Sequence, residues 1–126
     1  MEFAATRIIT DDVDRLVSFY ENVIGVAVVR LHPLFAELRT EMGVLAIASS
    51  ATVPMLGEGV AQACANRSII LDFLVDDVDY EYARLQSVIE VFINAPAYMP
   101  WGNKSLLFRD PDGNLVNLFT PSKPQA

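Results

Sequence analysis

Apolar and polar positions follow two rhythms along this chain, and the rhythms come twice in the same order. After the acidic tetrapeptide DDVD at 11–14, Val13, Leu16, Val17 and Tyr20 fall at i, i+3, i+4 and i+7, one helical stripe that ends near Gly25. After a second DDVD at 76–79, Val78, Tyr82, Leu85 and Ile89 make a similar stripe. The spacing predicts two amphipathic helices, each lying on a sheet. Asp11, Asp12, Asp76 and Asp77 stand where the free amides of a helix start need acceptors and where its positive end favours an acid, so helix capping is their expected role.

The flanking segments are rich in β-branched and aromatic residues and read as strands. Phe3 to Thr10 and Ser68 to Val75 precede the helices. Ala27 to Leu31, Phe35 to Arg39 and Val44 to Ser49 follow the first; Val91 to Tyr98, Ser105 to Arg109 and Leu115 to Phe119 follow the second. Each half therefore reads β-α-β-β-β. The steps from DDVD to DDVD (11 to 76) and from VIGV to VIEV (23 to 88) are both 65 residues, and RTEMGVLAIAS from Arg39 matches RDPDGNLVNLF from Arg109 at a step of 70. DPDG is a strong turn, because Pro fixes φ and Gly accepts a positive one. The expected organisation is one domain over 1–126, with module one at about 1–50, a Pro- and Gly-bearing linker with a short helical turn at about 51–67, and module two at about 68–121. The expected fold class is α+β, with both modules contributing to a curved mixed sheet around a cavity.

Composition narrows the function classes. A chain of 126 residues with 52% hydrophobic content can bury a core. No apolar run is long enough to span a bilayer, and MEFAATRIITDD lacks the basic start and apolar stretch of a secretory signal, so a soluble cytoplasmic protein without a membrane partner is expected. A net charge of −7 leaves no basic patch to release counterions from a nucleic acid; it suits a cationic ligand and equally serves solubility. Cys64 is the single cysteine, which allows neither an internal disulfide nor a thiolate zinc cluster and reads as a buried or incidental thiol.

DDVDRLVSFYENVIG at 11–25, LVDDVDYEYARL at 74–85, PWG at 100–102 and FRDPDGNLVNLFTP at 108–121 together resemble the vicinal oxygen chelate superfamily, which includes glyoxalases, bleomycin-resistance proteins and extradiol dioxygenases. The resemblance implies paired β-α-β-β-β modules, a homodimer and a ligand site on a concave sheet. Enzymes of that superfamily place His, Gln or Glu metal ligands on the first and last strand of each module, positions that map here to Ala5, Ile47, Ile70 and Asn117. Three are apolar and one is a neutral amide, whereas a divalent ion needs several imidazole or anionic donors converging at about 2 Å. No metal and no other cofactor is expected. His32, the single histidine, precedes Pro33 and reads as an exposed loop residue.

Alternation along the strands places Phe3, Arg7 and Ile9 beside Ala5, Ser68, Asp72 and Leu74 beside Ile70, Leu115 and Phe119 beside Asn117, and Leu45 and Ser49 beside Ile47. The expected pocket is apolar with a few polar groups. Arg7 and Asp72 occupy equivalent positions and either pair with each other or meet a ligand. Glu37 reaches the same face in one of two strand registers. Tyr98 and Trp101 border the pocket mouth by resemblance, where flat rings stack on an aromatic or cationic ligand, or else serve a core or dimer interface. The ligand-binding candidates are thus Arg7, Glu37, Asp72, Tyr98, Trp101 and Asn117. The first functional reading is a metal-free protein that sequesters a small, drug-like compound in the manner of the bleomycin-resistance branch. The second is a lyase or isomerase that uses Arg7, Asp72 or Glu37 for acid-base work, or a displaced metal site.

Overall fold

The computed structural model describes residues 1–122, which divide into two compact units, one ending at Asn66 and the next beginning at Arg67. The fold is α+β: each unit is one β-α-β-β-β module with a four-stranded mixed sheet.

In the first module β1 (Thr6–Thr10) leads into α1 (Val13–Ile24), followed by β2 (Val29–His32), β3 (Phe35–Arg39) and β4 (Val44–Ser49) in the sheet order β1-β4-β3-β2. Strand β1 runs parallel to β4, and β3 is antiparallel to both β4 and β2. Asp12 caps α1 by accepting from the Arg15 amide at 3.1 Å, and Gly25 ends it in the left-handed conformation at φ 76°. The predicted stripe packs as expected: Leu16 and Tyr20 are fully buried, and the helix lies on β3 and β4, whose Ala36, Leu38, Leu45 and Ile47 point to it. Burial of each large apolar side chain is worth about 1.5–3 kcal/mol. A 3-10 turn at Ser50–Thr52 and a one-turn helix, α2 (Val53–Leu56), fill the start of the linker, the short helical turn the sequence suggested.

In the second module β5 (Ile70–Leu74), α3 (Val78–Leu85), β6 (Ala97–Tyr98), β7 (Lys104–Arg109) and β8 (Leu115–Thr120) repeat the plan, in the order β5-β8-β7-β6. Asp77 caps α3 through the Asp79 and Tyr80 amides at 3.0 and 3.2 Å. Of the four acids offered as caps, Asp12 and Asp77 fill that role. The last acid of each DDVD forms an ion pair instead: Asp14 with Arg30 at 2.9 Å and Asp79 with Lys104 at 2.6 Å. Val78 and Leu85 bury against β7 and β8, with Leu106, Phe108, Val116 and Leu118 beneath them.

Three expected strands are shorter than their apolar runs, Ser68 to Val75 pairing only over Ile70–Leu74. β1 begins at Thr6, leaving Phe3 88% exposed. The run Val91 to Tyr98 pairs as a strand only over Ala97–Tyr98; upstream, Phe92 makes one bridge to Phe108, and Asn94 Oδ1 accepts from the Leu107 amide at 2.9 Å. Pro96 has no N–H for a continuous ladder, so the chain bends there.

The main correction concerns a face. Arg39 pairs with Val44 across a four-residue connection, but Arg109 pairs with Leu115 across five. The extra residue changes the step between modules from 70 on β3/β7 to 71 on β4/β8, so the counterpart of Asn117 is Ala46, not Ile47. Arg7 pairs with Ala46 as Asp72 pairs with Asn117, while Ile47, paired with Ile8 and Ala36, is fully buried on the helix side. Leu45 and Ser49 turn to the helix side with it.

Candidate functional site

The candidate site lies on the face of the second sheet that α3 leaves uncovered. Period-2 alternation sends Leu71 and Phe73 to the helix side and Ile70 and Asp72 to the open side. Asn117 and Phe119 of β8 share that open face, as do Ser105 and Leu107 of β7, which pair with Phe119 and Asn117. Met99, Trp101 and Asn103, from the turn between β6 and β7, complete a cavity of about 310 Å³. The volume sits at the small end of the ~300–1,000 Å³ range of small-molecule sites.

That turn is built to hold Trp101. The Met99 amide donates to the Asn103 carbonyl at 2.7 Å and the Gly102 amide to the Met99 carbonyl at 2.8 Å. Gly102 has φ 100°, and a Cβ there would come within 2.8 Å of the Ser122 Cβ, so no side chain fits without displacement. Asn103 Oδ1 accepts from the Ser122 amide at 3.2 Å and ties the turn to the segment after β8.

The polar floor is a pair. Asn117 Nδ2 donates to Asp72 Oδ1 at 2.9 Å, while Asn117 Oδ1 is covered and has no partner among the described residues. The orientation of the amide follows from charge, since the reverse would set two oxygens against each other. Asn103 and Ser105 add two polar groups to the lining, and Ile70, Met99, Trp101, Leu107 and Phe119 form its apolar part.

The sequence-derived candidates separate by module. Asp72, Trp101 and Asn117 line the cavity, together with Ile70 and Phe119 from the same alternation argument. Tyr98 does not line it: its ring, 74% exposed, receives the Lys104 ammonium 5.0 Å from its centre. A hydrogen bond to Asp79 holds the Lys104 ammonium above its ordinary value, so the cation on Tyr98 stays charged. Arg7 and Glu37 lie on the open face of the first sheet, both paired with Ala46. Arg7 stacks over the Phe35 ring at 5.3 Å, and Glu37 Oε1 accepts from Arg39 Nε and Nη2 at 3.2 and 2.8 Å. Met99, Asn103, Ser105 and Leu107 were not anticipated; Ser105 and Leu107 share the face of Asn117 only because the turn between β7 and β8 takes five residues, a number alternation does not supply.

The donor set does not fit a resident metal at the superfamily positions. With the register corrected these are Ala5, Ala46, Ile70 and Asn117, of which three have no side-chain donor atom and the fourth offers one neutral amide oxygen, too few donors for a divalent ion. Among the described residues no group of three or more His, Cys, Asp or Glu is gathered to hold an ion. His32 is exposed at the end of β2, with Nδ1 accepting from the Leu34 amide at 3.1 Å. Cys64 is exposed rather than buried.

Known proteins place this architecture. A protein of Bacillus subtilis (strain 168) named "Uncharacterized protein YraH" is 26% identical over 125 residues, covering 94% of this chain and 98% of its own. The crystal structure of a glyoxalase/bleomycin resistance protein/dioxygenase from Nocardioides superposes with a TM-score of 0.79 at 22% identity, over 99% of this chain and 86% of that one. A lactoylglutathione lyase from Agrobacterium tumefaciens does so with a TM-score of 0.71 at 23% identity, over 94% and 92%. These structural likenesses establish the fold. The model of the Glyoxalase/Bleomycin resistance protein/Dioxygenase superfamily matches residues 2–118, and to that superfamily this chain belongs.

Proposed function

We propose that this chain is a small-molecule-binding protein that needs no resident metal and holds a partly apolar compound on the open face of its second sheet. The observation that carries this reading is the cavity itself: Asp72, Asn103, Ser105 and Asn117 set among Ile70, Met99, Trp101, Leu107 and Phe119. Few polar groups in an apolar concavity is the usual makeup of a site that recognises an organic ligand. Three of the superfamily's four metal positions carry hydrocarbon where enzymes need donors, which favours sequestration in the manner of bleomycin-resistance proteins. Sequestration belongs in the cytoplasm, and a homodimer is part of the same proposal. Leu74 on β5, outside the cavity lining, remains 51% exposed, the kind of apolar surface that a second copy covers.

The catalytic reading rests on Asp72 as a base. The carboxylate is exposed and receives one hydrogen bond from a neutral amide, with no acid placed opposite it among the described residues. Binding is therefore the preferred function.

Metal analysis and a thermal-shift screen on the purified protein test the proposal together. Substoichiometric Zn, Ni, Mn and Fe are expected, with a rise in melting temperature for apolar compounds that Trp101→Ala abolishes. Stoichiometric metal, or ligand shifts indifferent to Trp101→Ala, would defeat it. Sedimentation is expected to give a dimer.

A further inference from the structure

We infer that the compound held by the second-sheet cavity is a compact monocation: an ammonium or amidinium with N–H donors on a flat one- or two-ring body. The inference rests on the small-molecule reading above and adds the chemistry of the head group.

Asp72 is the single charged side chain among the nine that line the cavity. Its one hydrogen bond comes from the neutral Asn117 amide, which orients the carboxylate without neutralising it. Three cations of the same module have other partners: Arg84 pairs with Glu81 at 2.6 Å, Lys104 with Asp79 at 2.6 Å, and Arg109 Nη1 donates to the Gly113 carbonyl at 2.9 Å. An exposed carboxylate that no cation neutralises, set beside apolar walls, favours a positive charge on the ligand over a neutral or negative one.

The second polar group asks for a donor rather than for charge alone. Asn117 Oδ1 is a covered acceptor with nothing donating to it among the described residues, and such an atom is costly to leave unmet. The last torsion of Asn is soft and two-fold. Once a cation takes over as the partner of Asp72, the Asn117 carboxamide is free to turn its oxygen toward the same N–H group. A primary ammonium with three donors can meet both Asp72 and Asn117; a quaternary ammonium carries the charge and meets neither as a donor. The cavity, about 310 Å³ with Trp101 and Phe119 on its walls, limits the body to a small arene that can stack on them.

The test is a matched series titrated into the full chain: naphthylmethylamine, its trimethylammonium analogue, naphthylmethanol and naphthoate, followed by NMR of the Trp101 indole and the Asn117 side-chain amide. The amine is expected to bind about tenfold tighter than the alcohol, as one charge-assisted hydrogen bond provides, and naphthoate not at all. Asp72→Asn is expected to erase the gap between amine and alcohol, and Asn117→Leu the gap between amine and trimethylammonium, with circular dichroism confirming that both variants fold. Equal affinity for all four heads, weakened throughout by Trp101→Ala, overturns the cation assignment and leaves the binding function standing. If no member of the series binds at millimolar concentration, both fail.

Discussion

The face a side chain takes is decided here one residue at a time. Ile47 and Ala46 are neighbours in sequence and both buried, but on opposite faces of β4: Ile47 lies under α1, while Ala46 sits beside Arg7 and Glu37 on the other side of the sheet. Ile47→Ala is expected to cost about 2–5 kcal/mol in urea unfolding, because it leaves a cavity beneath the helix, and to leave probe affinity per folded molecule unchanged. A loss of affinity with little loss of stability would return Ile47 to the open face. The caps give a smaller effect: Asp77→Ala is expected to cost about 1 kcal/mol by removing the acceptor for two amides of α3. That capping role was readable from the sequence, since an acid before an apolar stripe has few other uses. The true face of Ile47 was not readable, because alternation fixes parity within a strand but says nothing about how many residues a turn consumes.

At the level of elements, two connections in the second module govern what the strands present. The turn Asp110–Asn114 is organised by one buried carboxylate: Asp110 Oδ1 accepts from the Asp112 and Asn114 amides, both at 2.9 Å, and Oδ2 from Asn114 Nδ2 at 2.8 Å. Asp110→Ala strands all three donors and is expected to cost about 3 kcal/mol or more in chemical denaturation. The Met99–Asn103 turn matters for the site rather than for the core. Gly102→Ala is expected to cost roughly 1–3 kcal/mol from the positive φ alone and to move Trp101. Trp101 is the only tryptophan, so a changed emission maximum in the native state reads the displacement directly. An unchanged spectrum would show that the indole is placed by something other than this turn. β3 and β4 were legible to the residue because turn-forming residues bracket them, whereas Val91–Tyr98 looked like a strand from its apolar content and was broken by Pro96 and a side-chain bond from Asn94.

For the whole chain, the duplicated order of elements was the most legible feature, since each half repeats an acid-capped helix between strands and then a hairpin. The cavity was half legible. The residues on β5 and β8 follow from alternation, but Met99 and Asn103 enter through a turn whose conformation depends on Gly102 and the contact with Ser122. A compound that occupies the cavity at about a hundred times its Kd is expected to raise unfolding free energy by about 2.7 kcal/mol, seen as a concentration-dependent melting temperature. The effect should be retained at high salt if stacking dominates and weakened if Asp72 dominates.

The one additional residue in the later hairpin has a practical bearing on redesign. Anyone copying chemistry from one half of this protein to the other by simple counting would, on the final strand, bury a histidine under a helix instead of offering it to a substrate. A donor group meant for the open face of the first sheet belongs in place of Ala46; in place of Ile47 it would lie beneath α1 and is expected to destabilise the fold.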